Sequence, residues 1–415
     1  MITRWRVGTT VVHGSDAWEA VNSDGVLRGR VVLLLDAGFQ YATRQSAPQL
    51  LDRVHAVAQP VAESAVDSTK ANFDTVVELA SWLAEQRPDT VVAVGGGRLL
   101  DLAKLAAAVV TEPSVRAVLR TGSARAGVVA LPTPHGEPLR RVLVPTTVGT
   151  GSEVSAVACL DTPHGRRLVV GEHLRADTAV LDPDFTRSLP PHLVREGVLE
   201  TLLRAVGPLV GSPEPSPVAD VEALAVIGAA TALGYRVASG DRAAPTRLLA
   251  AQLSALSHVG WCAAGRHPYA VKHWYIANEL STVAAVRKMV ATACLLPNLW
   301  QRVLAGDQRF GDAGRLLVAW EAIRRAAPVP LGRDPGAGIR LLLDHWRITS
   351  RIPGTDAIAA RVAARTVTAW GGRLPMLPDV TTHDIHALLT QCLDPGTSPG
   401  KEVVHDSNDG TPQAL

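Results

Sequence analysis

Two stretches carry the residue types that could do chemistry. The first runs Thr90-Val91-Val92-Ala93-Val94-Gly95-Gly96-Gly97-Arg98-Leu99-Leu100-Asp101-Leu102-Ala103-Lys104. It reads as a strand entering three glycines and then a helix. Residues without side chains let the backbone approach a diphosphate. The helix start adds unpaired N–H groups and a positive dipole end, and Arg98 can add a guanidinium. The second stretch, Val144-Pro145-Thr146-Thr147-Val148-Gly149-Thr150-Gly151-Ser152-Glu153-Val154-Ser155, is again a strand end followed by small and hydroxyl-bearing residues. Hydroxyls of Thr146, Thr147, Thr150 and Ser152 can serve phosphates, ribose or adenine. Either stretch alone is explained by a tight turn; two such loops at carboxyl ends of parallel strands favour a nucleotide crevice.

Positioning these loops requires a parallel sheet. Val31 to Leu35 is a continuous apolar run ending at Asp36, the pattern of a strand covered on both faces. Residues 72–86 and 99–110 carry helical apolar faces, and 90–94, 142–144 and 179–181 read as further strands. Beyond Pro190 the character changes to Ala- and Leu-rich stretches with helical period: 198–210, 218–238, 247–264, 281–304 and 314–326. The expected organisation is an α/β sheet domain over 1–188 and an all-α domain over 189–393, with a mobile tail from 394 to 415. Residues 122–139 read as a surface loop.

The composition narrows the class. With 47% hydrophobic and 19% charged residues among 415, the chain can bury a large core. Forty-one basic against 39 acidic residues leave a net charge of +2, no footprint for nucleic acid or an anionic membrane. Cys159, Cys262, Cys294 and Cys392 are widely spaced, with no pair suited to a zinc ribbon or a disulfide framework. No apolar leader opens the sequence, and no run of about 18 apolar residues is evident. A cytoplasmic enzyme is the expectation.

GGGRLLDLAK together with PTTVGTGSEVS resembles the iron-containing (group III) alcohol dehydrogenase family, which is itself similar to glycerol dehydrogenases and dehydroquinate-synthase-like enzymes. Arg98 stands where the family pattern GGGSxxDxAK has serine, while Asp101 and Lys104 fit. Residues 145–154 match PTTxGTGSEV, and the LDP and SLP segments at 181–183 and 188–190 resemble the family's interdomain junction. VGTTVVHGSDAWEAV, from Val7, resembles its opening strand and helix. The likeness extends over roughly residues 7 to 300. It implies a Rossmann-like domain followed by a helical domain, with NAD(P) in the cleft between them. Gly95, Gly96, Gly97, Arg98, Asp101, Thr146, Thr147, Thr150, Ser152 and Val154 are the residues it places at the cofactor. Asp36, at the position facing the adenosine ribose, favours NAD by repelling a 2′-phosphate; as a plain turn-initiating residue it would leave NADP open.

The same resemblance brings a metal-site pattern that this sequence does not keep. Glu200 can stand for the carboxylate ligand, but Arg204 takes the place of the first histidine and cannot ligate a cation. Lys288 replaces a second histidine, and a third position falls on His273 or Trp274. If a metal is held, Glu200 and His273 are its ligands, or His258 and His267 complete a rearranged site. The favoured expectation is that the metal is gone and that Lys288 and Arg204, with Glu200 and His273 beside them, supply its positive charge to the substrate oxygen. A plain alternative is that Arg204 and Lys288 pair with Glu200 only to hold helices together.

The resulting expectation is an NAD(P)-dependent oxidoreductase moving a hydride between nicotinamide and an alcohol or carbonyl of a small-molecule or peptide substrate. A tailoring dehydrogenase oxidising a C-terminal hydroxy amino acid, with decarboxylation, is one form it can take. The rivals are a dehydroquinate-synthase-like lyase or cyclase using NAD transiently, and a non-catalytic nucleotide-binding partner subunit. A homodimer is expected from the family and from the prevalence of two-fold assemblies.

Overall fold

The computed structural model describes residues 7–395 except 24, 125 and 213; the tail expected to be mobile lies outside the described residues from 396 onward. Among the described residues of the first half, nine strands form: β1 (Thr10–His13), β2 (Val31–Asp36), β3 (Ala62–Val66), β4 (Thr90–Gly95), β5 (Val128–Ala130), β6 (Arg140–Pro145), β7 (Val157–Thr162), β8 (Gly165–Val170) and β9 (Thr178–Leu181). Six make one parallel sheet in the order β1-β9-β6-β4-β2-β3. β5, β8 and β7 make a smaller sheet, with β7 antiparallel to β8.

Helices α1 (Ala17–Ser23), α2 (Ala37–Ser46), α3 (Pro48–Ala58), α4 (Phe73–Gln86), α5 (Gly97–Thr111) and α6 (Ser114–Gly122) cover the sheet. The apolar run of β2 is explained by its two faces. Val32 and Leu34 enter a core with α4 and α5, while Val31, Leu33 and Leu35 enter another with α1 and α3.

Beyond Pro190 the described residues form α7 (Pro191–Gly211), α8 (Pro217–Ala238), α9 (Ala244–Val259), α10 (Lys272–Ala284), α11 (Lys288–Leu304), α12 (Ala313–Ala326), α13 (Pro335–His345), α14 (Asp356–Trp370) and α15 (Thr382–Cys392). They enclose a separate large core. α8 is long and apolar enough to cross a membrane by length and composition, a stretch not singled out above. It carries Asp220, Glu222 and Arg236, and Ala223, Val226, Ile227, Ala230 and Leu233 are buried in the helical core.

Two expectations need correction. Residues 122–139 are not wholly a loop, since β5 lies within them and pairs with β8. The small sheet left little sequence signal because β7 and β8 alternate buried with half-exposed positions rather than forming apolar runs. The stretch 281–304 is not one helix. Ala285 adopts φ +53°, a left-handed cap that ends α10, so Lys288 becomes the first residue of α11.

Candidate active site

β4 delivers Gly95 and α5 begins at Gly97, with Gly96 as its N-cap and no side chain capping it. A Cβ on Gly95 would lie 2.6 Å from Leu99 Cδ2 and 2.8 Å from Asp36 Cβ, and one on Gly97 would lie 2.9 Å from Thr150. These glycines let β2, α5 and the second loop meet closely, and they leave the first turn of α5 open to an anion. Thr147 sits against Gly96, and its buried Oγ1 has no hydrogen-bond partner among the described residues. An orphaned hydroxyl beside an uncapped helix start suits a phosphate.

Other residues expected at the cofactor have structural duties. Both Asp36 oxygens are engaged: one caps α2 by accepting from Phe39 N–H at 3.0 Å, the other accepts from Ser68 Oγ at 2.5 Å. The turn-initiating role is therefore present. Arg98 donates to the Thr69 carbonyl at 2.9 Å and pairs with Asp161 at 3.0 Å, so its guanidinium is committed away from the loop. Asp101 accepts from Ser152 Oγ and from Cys159 N–H. Lys104, fully buried, reaches Asp101 at 3.0 Å and donates to the carbonyls of Ser152 at 2.9 Å and Val157 at 2.6 Å. Asp101 and Ser152 thus fasten the second loop to α5 instead of facing a ligand. Val154 is buried and its carbonyl accepts from Arg175 at 2.8 Å. Thr146 is buried and its N–H bonds Gly95.

The helical domain grips the second loop from the other side. Gly149 donates to Ser254 Oγ at 3.1 Å, and its carbonyl accepts from Arg204 at 2.7 Å. Gly151 has φ +59°, and a Cβ there would fall 1.9 Å from the His258 ring. His258 Nε2 lies 3.0 Å from the Thr150 carbonyl. A carbonyl only accepts, so that nitrogen carries the hydrogen. Burial, then the charge of Arg204, drives the imidazole pKa well below its usual value. His258 is a neutral prop for the loop and not a metal ligand through Nε2.

The charged residues meet at one carboxylate. Glu200 Oε1 is 3.1 Å from Lys288 Nζ and 3.3 Å from Arg204. Burial pushes this carboxyl up, but Lys288 and Arg204 together hold it below the usual range. Arg204 donates to the carbonyls of Gly149 and Thr150 and to Glu200, while its buried Nε has no partner among the described residues. It clamps the second loop to α7. Lys288 keeps 28% of its side chain exposed and lies 4.8 Å from the centroid of the Trp274 ring, a cation–π contact.

His273 packs against Trp274, with ring centroids 5.6 Å apart, and makes no hydrogen bond to Glu200 among the described residues. It lines a cavity of about 20 Å³ with Lys272, Trp300 and Phe310, and its buried Nε2 is unpartnered. Burial and then Lys288 lower its pKa to about 3, so it is neutral. Among the described residues no three His, Cys, Asp or Glu side chains are grouped to hold a metal ion. Glu200 is paired with two cations.

Glu153, inside the second motif, is a buried carboxyl that spacing did not mark. It is 2% exposed, and burial raises its carboxyl to about 7. The folded chain binds this proton more tightly than the unfolded chain, whose carboxyl titrates near 4.5. Stability is therefore expected to fall as pH rises from about 4.5 to about 7. Denaturant titrations across that window should show a flatter profile for Glu153→Gln. An unchanged slope in that variant would rule Glu153 out as the source.

Residues 8–183 match the family model described as iron-containing alcohol dehydrogenase. Over 156 residues the chain is 36% identical to long-chain-alcohol dehydrogenase 1 of Geobacillus thermodenitrificans, covering 37% of this chain and 38% of that one. Over 175 residues it is 35% identical to the phosphonoacetaldehyde reductase of Streptomyces viridochromogenes, covering 42% of each. In sequence, then, the chain spans about two fifths of the relatives' length. The fold is shared far more widely. Sulfoacetaldehyde reductase from Bifidobacterium kashiwanohense, solved in complex with NAD+, superposes with a TM-score of 0.73 at 18% identity, over 94% of this chain and 99% of that one. Residues 8–183 are thus similar in sequence to the iron-containing alcohol dehydrogenases, and the chain as a whole shares the fold of their solved structures.

Proposed function

We propose that this protein is an NAD-dependent oxidoreductase that interconverts an alcohol and its carbonyl compound, with an ammonium group where its family holds a metal. The observation that carries the nucleotide half is the uncapped start of α5 beside the orphaned Thr147 hydroxyl. When bound, the nicotinamide supplies or accepts the hydride at its C4. The chain's own part is to seat the diphosphate on the α5 start and to keep the second loop rigid through Lys104, Arg204 and His258.

In the reductive direction Lys288, anchored by Glu200, hydrogen-bonds the carbonyl oxygen and gives its proton to the forming alkoxide. No metal step is assigned, because the available groups do not make a ligand set: Glu200 is paired with two cations, and no three His, Cys, Asp or Glu side chains are grouped among the described residues. The finer reading is a cytoplasmic, homodimeric tailoring enzyme oxidising a C-terminal hydroxy amino acid, whose β-keto acid then loses CO2. It requires a second cation for the substrate carboxylate, since Lys288 serves the reacting oxygen; Arg204, whose Nε is buried without a partner, is the remaining one.

Purified protein is expected to bind NADH with a fluorescence change, to contain sub-stoichiometric metal by mass spectrometry, and to keep its turnover in chelator. Gly97→Asp, which puts a carboxylate at the helix start, should abolish NADH binding. Intact NADH affinity in that variant would defeat the nucleotide site. A stoichiometric metal whose removal stops turnover would defeat the metal-free reading. A peptide ending in threonine, monitored for NADH and CO2, tests the tailoring role.

A further inference from the structure

A cavity of about 140 Å³ is bounded by the start of α7, the turn joining α8 to α9, and Arg347, two residues past α13. Its walls carry Arg195, Arg242, Arg247 and Arg347. The single carboxylate lining it, Asp241, is already used: it accepts from Arg236 at 2.9 Å, from Thr246 Oγ1 at 2.7 Å and from Ala243 N–H at 2.9 Å. Glu196, next along α7, is taken by Arg287. Both carboxylates beside the cavity are thus engaged by arginines outside it, and the four lining guanidiniums are left with only the partial offset that Glu196 gives Arg195.

The guanidiniums are also short of hydrogen bonds. Arg247 donates to the carbonyls of Thr186 and Arg242. Arg195, Arg242 and Arg347 make no side-chain hydrogen bond or ion pair among the described residues, and Arg195 Nε is buried without a partner. Burial, then the charges of Arg347 and Arg242, lower the pKa of Arg195. Like charges face one another here. Arg347 is held at φ +52°, a left-handed position just past α13 where glycine is the low-cost residue. An arginine there accepts that cost and brings a fourth guanidinium to the rim.

We propose that this cavity is a binding site for a small multivalent oxyanion of the phosphoryl class. Guanidinium forks match phosphate oxygens two at a time. At about 30 Å³ per water the space holds roughly four to five waters, enough for a phosphate or diphosphate group. The site is distinct from the nucleotide loops. Gly197 faces Val148 of the second loop, and Arg195, two residues earlier, is turned about 200° around the same helix. Glu200 lies about 7.5 Å further along α7, so occupancy would be felt by the helix that carries the charged centre.

Calorimetric titration with pyrophosphate at low ionic strength tests this directly. Saturable, one-equivalent binding is expected in the Gly97→Asp protein, where the nucleotide loop is blocked. If that variant does not fold, the same titration is made with the loop saturated by NADH. The double variant Arg195→Gln/Arg347→Gln should bind at least tenfold more weakly while its NADH affinity stays unchanged. Equal binding in the double variant, or no saturable binding with the loop blocked, overturns the proposal. Parallel titrations with inorganic phosphate and glycerol 3-phosphate identify the source: preference for the ester marks a phosphorylated metabolite, preference for the free anion marks phosphate itself.

Discussion

Lys288→Ala is expected to lower kcat/KM for carbonyl reduction by about 10²–10³-fold, the usual loss when one charge-stabilising donor at a developing oxyanion is removed. NADH affinity should stay within about twofold, since no part of Lys288 touches the glycine loops. The expectation rests on where the sequence puts this side chain. α11 begins with Arg287 as N-cap and Lys288 as its first residue, and no acidic residue occupies its first turn. Two cations at the positive end of a helix dipole violate a local preference. The violation is compensated from α7, where Glu196 and Glu200, four residues apart, face Arg287 and Lys288 in turn. Arg287 closes a bidentate pair with Glu196, at 3.0 and 2.7 Å, that is complete in itself. Lys288 has one carboxylate oxygen, the face of Trp274 and hydrogens to spare. A locally unfavourable residue that is only partly satisfied is the signature of a site group. Lys288→Arg should restore part of the turnover. Full turnover in Lys288→Ala would mean that the ion pair only ties helices together.

How much of this was legible in the sequence depends on the range over which each residue acts. β2 and β4 were visible because both faces of each strand are buried, which writes an unbroken apolar run into the chain. β7 and β8 were not, because each shows only one face to the core. The glycine loops could be read because backbone approach demands a residue type. What Arg204 binds could not: its partners are the carbonyls of Gly149 and Thr150, about 55 residues away and carrying no sequence label. For the same reason Asp101 and Ser152, each plausible at a cofactor, proved to be partners of one another. The break at Ala285, which positions Lys288, rests on a left-handed alanine, and no glycine or proline announced it. The arginine cavity draws residues from three separate segments, so no spacing could reveal it.

Lys104→Met is expected to destabilise the fold by about 3–5 kcal/mol, the cost of leaving a buried charge without its partner. Lys104 is wholly enclosed, and a methionine of similar length would fill its space. Volume is therefore not the issue; the oxygens are. Asp101 would keep Ser152 Oγ and Cys159 N–H as donors but lose its countercharge 3.0 Å away. The carbonyls of Ser152 and Val157 would lose a charged donor. Both carbonyls belong to the chain that leads from the second loop into β7, so NADH affinity should fall with stability. Adding Asp101→Asn to Lys104→Met removes the stranded charge and should recover part of the loss, a coupling that a double-mutant cycle by urea denaturation would measure. If Lys104→Met alone cost less than about 1 kcal/mol, the net value of an ordinary neutral hydrogen bond, the loop would owe its position to the α7 and α9 contacts instead. Arg204 and His258 would then be the residues that hold the nucleotide crevice open.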